Sequence, residues 1–557
     1  MLLSRREALA QLAALVALPL AGTGRGGYRS SASLGMTVPS SQAGGAKSRH
    51  MHFASPLDGT IAEYQAGRAR GEWTAALITA EALERCHAEG MRWRAIDQLA
   101  TDLIDVAQES DRRLGKGRLL GMMDGVPVFA KSIYDMNGMR TTGSNAEWGA
   151  KFQELLRRDA LEIARLRAAG AIVLGKTAAD DFAYHGNGTS SLTGQVLNPH
   201  DPTGTRTPGG SSAGSAVAIA DGMAFAALGT DDGGSNRIPA QFTGVVGMKP
   251  TFGLVARSGV IPTWPYLDTH GPLARSVADA AQMLAVIAGA DPSDPLTRSA
   301  AAEDIATLPR LRDDALAGVR LGVIEPHVPR AQMTAEALAT WDRAVDDLRA
   351  AGATVAAFDA AVTRVNYRDL FADAAKARHD VDVDPKAPAP TANALYRYFA
   401  GRVSDPHLDD PRLLVQKGYA AYRSFYDVLP PTFEEAVPLF EQQMVDDPAG
   451  RSFARSRETV VAALAASMRA ANVVAMVYPT MPFNAPRYAD PWPDVRTPLG
   501  YGNWLGIPEV SVPAGYGADG MPALNVSIVG LPGEDARVLS LAHAYEQQSR
   551  RFRPPPR

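Results

Sequence analysis

The sequence predicts an α/β fold in which helices pack on a central sheet. Three observations carry that expectation. Short apolar runs bounded by glycine or proline alternate with longer segments whose apolar residues recur every three or four positions, the order from which layered α/β architectures are built. The composition is globular, with 46% of the 557 residues hydrophobic and 21% charged, which supplies a large core. No internal repeat breaks the alternation. Length alone would divide such a chain into two or more domains, yet large α/β enzymes exceed that measure as one unit.

Taken in order, the first segment is "LSRREALAQLAALVALPLAGTG", with Arg5 and Arg6 ahead of an apolar run over residues 8–21. The run is too short to span a bilayer and fits the apolar region of a signal peptide. A twin arginine before it predicts export of the folded protein to the periplasm or medium. A start at Met36 or Met51 would instead leave the protein cytoplasmic. Residues 1–21 therefore read as a signal segment and 22–55, rich in Gly, Ser and Ala, as a flexible linker. Residues 56–557 read as one domain, with no further candidate membrane segment.

Within that domain "TAALITAEALERCHAEGM" and "LATDLIDVAQESDRRL" have the 3–4 spacing of amphipathic helices. "GVPVFA" is a short buried strand that runs into Lys131. "DALEIARLRAAG" is a helix closing on Gly170, and "AIVLGKT" is the strand after it. "GVRLGVIE" and "ATVAAFD" flank the helix "EALATWDRAVDDLRAAG" in the same way, and "ANVVAMVYPT" and "IPEVSVPAG" are late strands. Residues 367–447, punctuated by Pro and Asp, lose the rhythm. They read as a mainly helical insertion over the sheet that contributes to substrate selection.

Several classes are excluded. A net charge of −4 without a basic stripe offers nothing to nucleic acid. One cysteine, Cys86, permits no intrachain disulfide and reads as a buried structural thiol. Metal-ligand, dinucleotide and Walker spacings are missing, so neither metal nor cofactor is implied.

Three stretches carry chemistry. "TPGGSSAGSAVAIADG", residues 207–222, is a Gly/Ser loop opening into an Ala-rich helix, where backbone N–H groups can meet an anion and Ser211, Ser212 and Ser215 supply hydroxyls. The same stretch would also serve as an ordinary helix N-terminus. Lys131, directly behind an apolar strand, is placed for desolvation, which favours the neutral amine that can act as a base. "GTDDGGSNR", residues 229–237, sets Ser235 behind two glycines, and a serine is a poor nucleophile unless a neighbour takes its proton.

With "DTHGPLARSVADAA" and "YGNWLGIPEVSVPAGYGADGMPALNVSIVG" following in the same order, the sequence resembles the amidase signature family from about residue 57 to 551. The resemblance implies a large single α/β domain with a mixed central sheet covered by helices, and a Ser–cis-Ser–Lys triad. In it Ser235 is the nucleophile, Ser211 the bridging serine after a cis peptide bond, and Lys131 the base. The backbone N–H groups of Asp232, Gly233, Gly234 and Ser235 would form the oxyanion hole. Asp231 and Arg237 would pair to hold the loop, Ser212 would hydrogen-bond beside the triad, and Tyr184 and His185 in "FAYHGNGTSS" would border the substrate pocket. Asp232 and Asn236 depart from the family, which commonly has a small or apolar residue at the first position and an aliphatic one at the second. The charge that Asp232 brings counts against acidic substrates.

The expected activity is hydrolysis of a small-molecule or peptide carboxamide to an acid and ammonia or an amine, through a serine acyl-enzyme, with no obligate protein partner. Two alternatives stand beside it. "GSSAG" satisfies the G-x-S-x-G nucleophile elbow of Ser–His–Asp hydrolases with Ser212 at its centre, although "DPTGTRTP" before it makes a poor strand. An amidotransferase-type subunit would instead supply ammonia to a partner, a role at odds with export because tRNA is cytoplasmic.

Overall fold

Among the described residues, thirteen strands and the helices between them follow one another along the chain. They are β1 (Ile96–Leu99), β2 (Pro127–Lys131), β3 (Ile172–Thr177), the small pair β4 (Thr189–Ser190) and β5 (Gly194–Gln195), β6 (Ala226–Asp231), β7 (Val246–Lys249), β8 (Thr269–Ala274), β9 (Arg320–Val323), β10 (Thr354–Ala357), β11 (Ala475–Pro479), β12 (Glu509–Tyr516) and β13 (Pro522–Val529). The structure is a computed structural model. It describes residues 55–556 except 155, 295, 298–301, 360–362, 364–366, 382–387, 403–409, 427 and 496. The signal segment expected at 1–21 and nearly all of the linker expected at 22–55 lie outside the described residues.

All strands but β4 and β5 join one sheet of 11, in the order β1-β3-β2-β6-β8-β7-β12-β13-β11-β9-β10. The sheet is mixed. β3, β2 and β6 run parallel, as do β10, β9 and β11, while β8, β7, β12 and β13 pair antiparallel between those two blocks. This is the large mixed α/β domain that the sequence implied. The residues of β2, β3 and β6 are buried throughout, so these strands read as continuous apolar runs instead of alternating ones.

The helices that cover the sheet follow from local chemistry. Thr60 and Glu63 form a reciprocal capping box before the helix Ile61–Ala69, with Thr60 N–H donating to Glu63 Oε2 at 2.9 Å and Glu63 N–H to Thr60 Oγ1 at 3.2 Å. The helix expected over "TAALITAEALERCHAEGM" ends at Arg85, and Cys86–Gly90 widen into a π turn. Cys86 is buried there, and burial pushes its thiol up to about 12, which keeps it an unreactive thiol. The helix Ala213–Ala220 is buried on every side. Its small residues permit this, since a Cβ on Gly214 would strike the Ala95 carbonyl oxygen.

Over residues 367–447 the described elements are helices: Tyr367–Ala377, Pro388–Arg402, Pro411–Arg423 and Phe433–Val445. Aromatic contacts fasten them to the domain. Phe371 packs on Phe453 (5.1 Å) and Trp504 (5.2 Å), and Tyr422 stacks on Tyr426 at 4.4 Å. The hydroxyls of that stacked pair donate to Pro262 O (2.6 Å) and Phe182 O (2.8 Å).

Candidate active site

The site forms where two parallel strands end side by side. β2 and β6 pair from Val128↔Ala226 to Ala130↔Leu228, so Lys131 leaves the sheet at the same edge as Thr230 and Asp231. Carboxyl ends of parallel strands are where α/β sheets place their ligands. Lys131 is fully buried, with Nζ 2.7 Å from Ser211 Oγ and 2.8 Å from Thr230 Oγ1. Burial draws its pKa down to about 8, against the pull of the Asp232, Asp180, Asp231 and Asp268 carboxylates. The shift favours the neutral amine over the ammonium. A neutral amine can donate to Thr230 while its lone pair accepts from the Ser211 hydroxyl.

Ser211 follows a cis peptide bond from Gly210. Its carbonyl accepts from Asp180 N–H at 3.2 Å, and the Asp180 carboxylate in turn accepts from the N–H groups of Asn187 (3.2 Å), Gly188 (2.9 Å) and Thr189 (3.0 Å). The two serine loops are tied together by Ser212 N–H, which donates to Ser235 O at 3.1 Å. The Ser212 hydroxyl lies 3.1 Å from Asn236 Oδ1 and 3.2 Å from Thr230 O. Residues 201–208, ahead of the GSSAG stretch, hold turns and one isolated bridge and no strand, so a nucleophile elbow at Ser212 lacks its strand.

Ser235 opens onto a pocket of about 170 Å³. Tyr184, His185, Asp232, Gly233 and Trp264 line it as well. The Tyr184 ring packs on His185 (4.9 Å), Trp264 (6.0 Å) and Tyr426 (4.9 Å), so the 367–447 segment braces one pocket wall through Tyr426. A larger cavity of about 770 Å³, lined by Asp268 and His270 among others, contains none of Lys131, Ser211 and Ser235. Size does not select the site; the lysine and serines do.

A buried ion cluster holds the turn after β6. Arg237 is fully buried and binds Asp231 through Nε (2.9 Å) and Nη2 (2.8 Å), Glu509 through Nη1 (2.7 Å) and Asn503 Oδ1 through Nη2 (2.7 Å). Burial alone would raise the Asp231 carboxyl, but Arg237 overrides it and holds the group below the usual range. Arg237→Met would leave Asp231 and Glu509 buried without their shared cation. The expected cost is about 3–5 kcal/mol, read as a lower denaturation midpoint in urea. An unchanged midpoint would remove the cluster from any role in stability.

One expected oxyanion donor is corrected. Gly234 N–H donates to Asp231 Oδ1 at 2.7 Å, so this amide is already engaged. Gly234 has φ 127°, a value that L side chains rarely adopt, and this backbone turn is what lets its amide face inward to the carboxylate. Asp232, Gly233 and Ser235 remain as the proposed donors.

Sequence reasoning missed several residues that shape the site. Thr230, the second partner of Lys131, stood inside the quoted GTDDGGSNR stretch, where its hydroxyl was the available signal. Asn236 joins strands, donating to Met248 O (3.0 Å) and Gly271 O (3.1 Å). Asp268, Asn503 and Glu509 lie in stretches that carried the family resemblance but were given no role there, and Asp180 arrives from a segment that carried no signal of its own.

A family model described as Amidase matches residues 78–539. The chain is 33% identical over 503 residues to a glutamyl-tRNA(Gln) amidotransferase subunit of Symbiobacterium thermophilum, covering 86% of this chain and 94% of the relative. It is 33% identical over 454 residues to the corresponding subunit of Thermosynechococcus vestitus, covering 79% and 87%. Among solved structures it is similar to the native peptide amidase of Stenotrophomonas maltophilia, at 29% identity and a TM-score of 0.72, covering 90% of this chain and 99% of that one.

These relatives overturn two expectations. The curated ones are named as one subunit of an amidotransferase for glutamyl-tRNA(Gln), which is at odds with an enzyme that needs no protein partner. A role tied to tRNA is equally at odds with export to the periplasm or medium, and the Arg5–Arg6 segment on which export rested lies outside the described residues. Neither expectation is retained.

Proposed function

The chain belongs to the amidase family, whose members act on amide C–N bonds, and from that premise we propose that it hydrolyses a carboxamide through an acyl-enzyme on Ser235. The observation that carries the reading is the fully buried Lys131 with Nζ 2.7 Å from Ser211 Oγ, on a loop tied to Ser235 by the Ser212 N–H bond. In this reading neutral Lys131 takes the Ser211 proton and Ser211 takes that of Ser235. Ser235 Oγ then bonds to the substrate carbonyl carbon, while backbone N–H groups of Asp232, Gly233 and Ser235 meet the developing oxyanion. The proton returns along the same path to the leaving nitrogen as the C–N bond breaks. Water, deprotonated by the same relay, hydrolyses the ester. The likeness to a peptide amidase favours carboxamides of peptide character.

A second reading is favoured by the names of the curated relatives: an amidotransferase-type subunit that releases ammonia to a partner chain. One experiment separates them. The purified chain is offered C-terminally amidated peptides, aliphatic amides and aryl acylamides, with released ammonia and amine both measured. Ammonia or amine released to solution, with the chain alone or once a co-purifying protein is restored, is the expected result. Ammonia that reaches only an acceptor on the partner, with none released to solution, would replace the first reading with the second, and no turnover under either condition would defeat both.

A further inference from the structure

One turn of the chain walls two cavities. Pro262 and Pro265 line the chamber of about 770 Å³, while Thr263 and Trp264, between them in sequence, line the pocket of about 170 Å³ that holds Ser235. The two sizes admit different guests. A cavity of about 150 Å³ takes one benzene ring, whereas sites for drug-sized ligands run from about 300 to 1,000 Å³. The Ser235 pocket also has two distinct ends. Ala183, Ile238, Thr263 and Trp264 are buried, which makes that end blind, while His185 is exposed and stands at the mouth.

The indole at the blind end is held in place. Trp264 N–H donates to Asp268 Oδ1 at 2.6 Å, and Thr263 N–H to Asp268 Oδ2 at 3.1 Å. Trp264 O accepts in return from the N–H groups of Leu267 (2.7 Å) and Asp268 (2.8 Å), so its backbone is fastened on both sides. The ring meets Tyr426 edge-on at 5.4 Å and Tyr184 at 6.0 Å. Tyr426 is itself fixed, because it is fully buried, its hydroxyl donates to Phe182 O at 2.8 Å and its ring stacks on Tyr422 at 4.4 Å. A wall packed this closely does not yield to an extra ring without strain.

We propose that Trp264 is the specificity-determining residue of the Ser235 pocket. The side chain of the residue that carries the carboxamide enters the blind end, where the indole limits it to about one ring, and the rest of the peptide leaves past His185. The substrates are then C-terminal amides of residues no larger than about phenylalanine, and bulkier ones are turned away by Trp264 and not by the serines. The inference rests on the proposed hydrolysis of carboxamides of peptide character at Ser235. It also gives the 367–447 segment a way to act on substrate choice, through Tyr426 against the indole.

The test uses the full chain, with any co-purifying protein present, and acetylated dipeptide amides ending in alanine, leucine, phenylalanine, naphthylalanine or biphenylalanine amide. In the parent, kcat/KM is expected to fall about 10-fold or more from the phenylalanine to the biphenylalanine amide, the effect of forcing a second ring into a packed space. Trp264→Ala is expected to recover about 10-fold or more in that ratio, and Trp264→Phe to recover less, with the same sign. The ratio cancels any general loss of activity, which would lower both amides alike. If Trp264→Ala does not fold, Trp264→Phe, which keeps an aromatic ring against Tyr426, decides alone. A parent that takes the biphenylalanine amide as well as the phenylalanine amide, or a ratio that ignores residue 264, overturns the proposal. Where no amide is turned over, hydrolysis itself fails, and the size limit is read from Ser235 labelling by two fluorophosphonates, one carrying a methyl and one a biphenyl group. A labelling ratio that shifts toward the biphenyl probe in Trp264→Ala upholds the limit; an unchanged ratio, or a Ser235 that takes neither probe, overturns it.

Discussion

Ser235→Ala is expected to lower amide turnover on the order of 10³-fold or more and to abolish fluorophosphonate labelling. The substitution deletes the atom that would attack the carbonyl and leaves only binding and the oxyanion donors, which in serine hydrolases retain a small residual rate. Ser211→Ala breaks the relay between Lys131 and Ser235 but keeps the attacking oxygen. It should cripple turnover while Ser235 still labels slowly. Ser212→Ala loses a hydroxyl that lies 3.1 Å from Asn236 and 3.2 Å from Thr230, and should cost less, about 10–10²-fold. Mass spectrometry of the labelled peptide is the deciding measurement. An adduct on Ser212, with Ser235→Ala still active, would return the nucleophile to the GSSAG stretch.

Lys131→Met is expected to remove most activity together with the acid limb of the pH profile. The sign follows from the direction of the shift. Burial lowers the lysine pKa to about 8. Below that pH the amine is protonated and cannot accept the Ser211 proton, so the rate falls; above it the lone pair is free and the rate levels off. Methionine keeps most of the side-chain volume in the fully buried slot, so the variant tests the amine and not the packing. An acid limb that persists unchanged in Lys131→Met would assign the titration to another group.

What was legible in the sequence and what was not divide along physical lines. β2 and β3 were readable because both are continuous apolar runs bounded by glycine, the pattern of strands buried on two faces. The Ala-rich helix after the serine loop was readable from the same kind of local signal. β1 was not expected. It has four residues, Ile96–Leu99, all half-buried at the sheet edge, and neither alternation nor apolar length marks it. At the site, Lys131, Ser211 and Ser235 stood out through motif and resemblance. The groups that tune them did not, because polar contacts across great sequence distance leave no periodicity. Arg237 reaches Glu509 across 272 positions, and nothing in "GIPEV" announces a buried carboxylate. Gly234 misled for a related reason. A glycine at an oxyanion turn reads as a free amide, and only the placed Asp231 carboxylate shows that it is taken.

The order of strands has a consequence for how the chain comes into being. β7, made early, lies between β8 and β12, and β12 is contributed by residues 509–516. Register between them runs from Lys249↔Glu509 to Ser511↔Gly247. A nascent chain must therefore carry one edge of β7 unpaired until some 260 further residues, counted from 249 to 509, have left the ribosome. At translation rates of about 5–20 residues per second that wait is on the order of ten to fifty seconds. Glu509, the second carboxylate on Arg237, arrives with the same strand. Until it does, the turn bearing Ser235 lacks one of its anchors and a sheet edge stands open to other chains. A chain stopped before β12 would keep that edge of β7 without its partner strand, the arrangement from which edge-to-edge association starts.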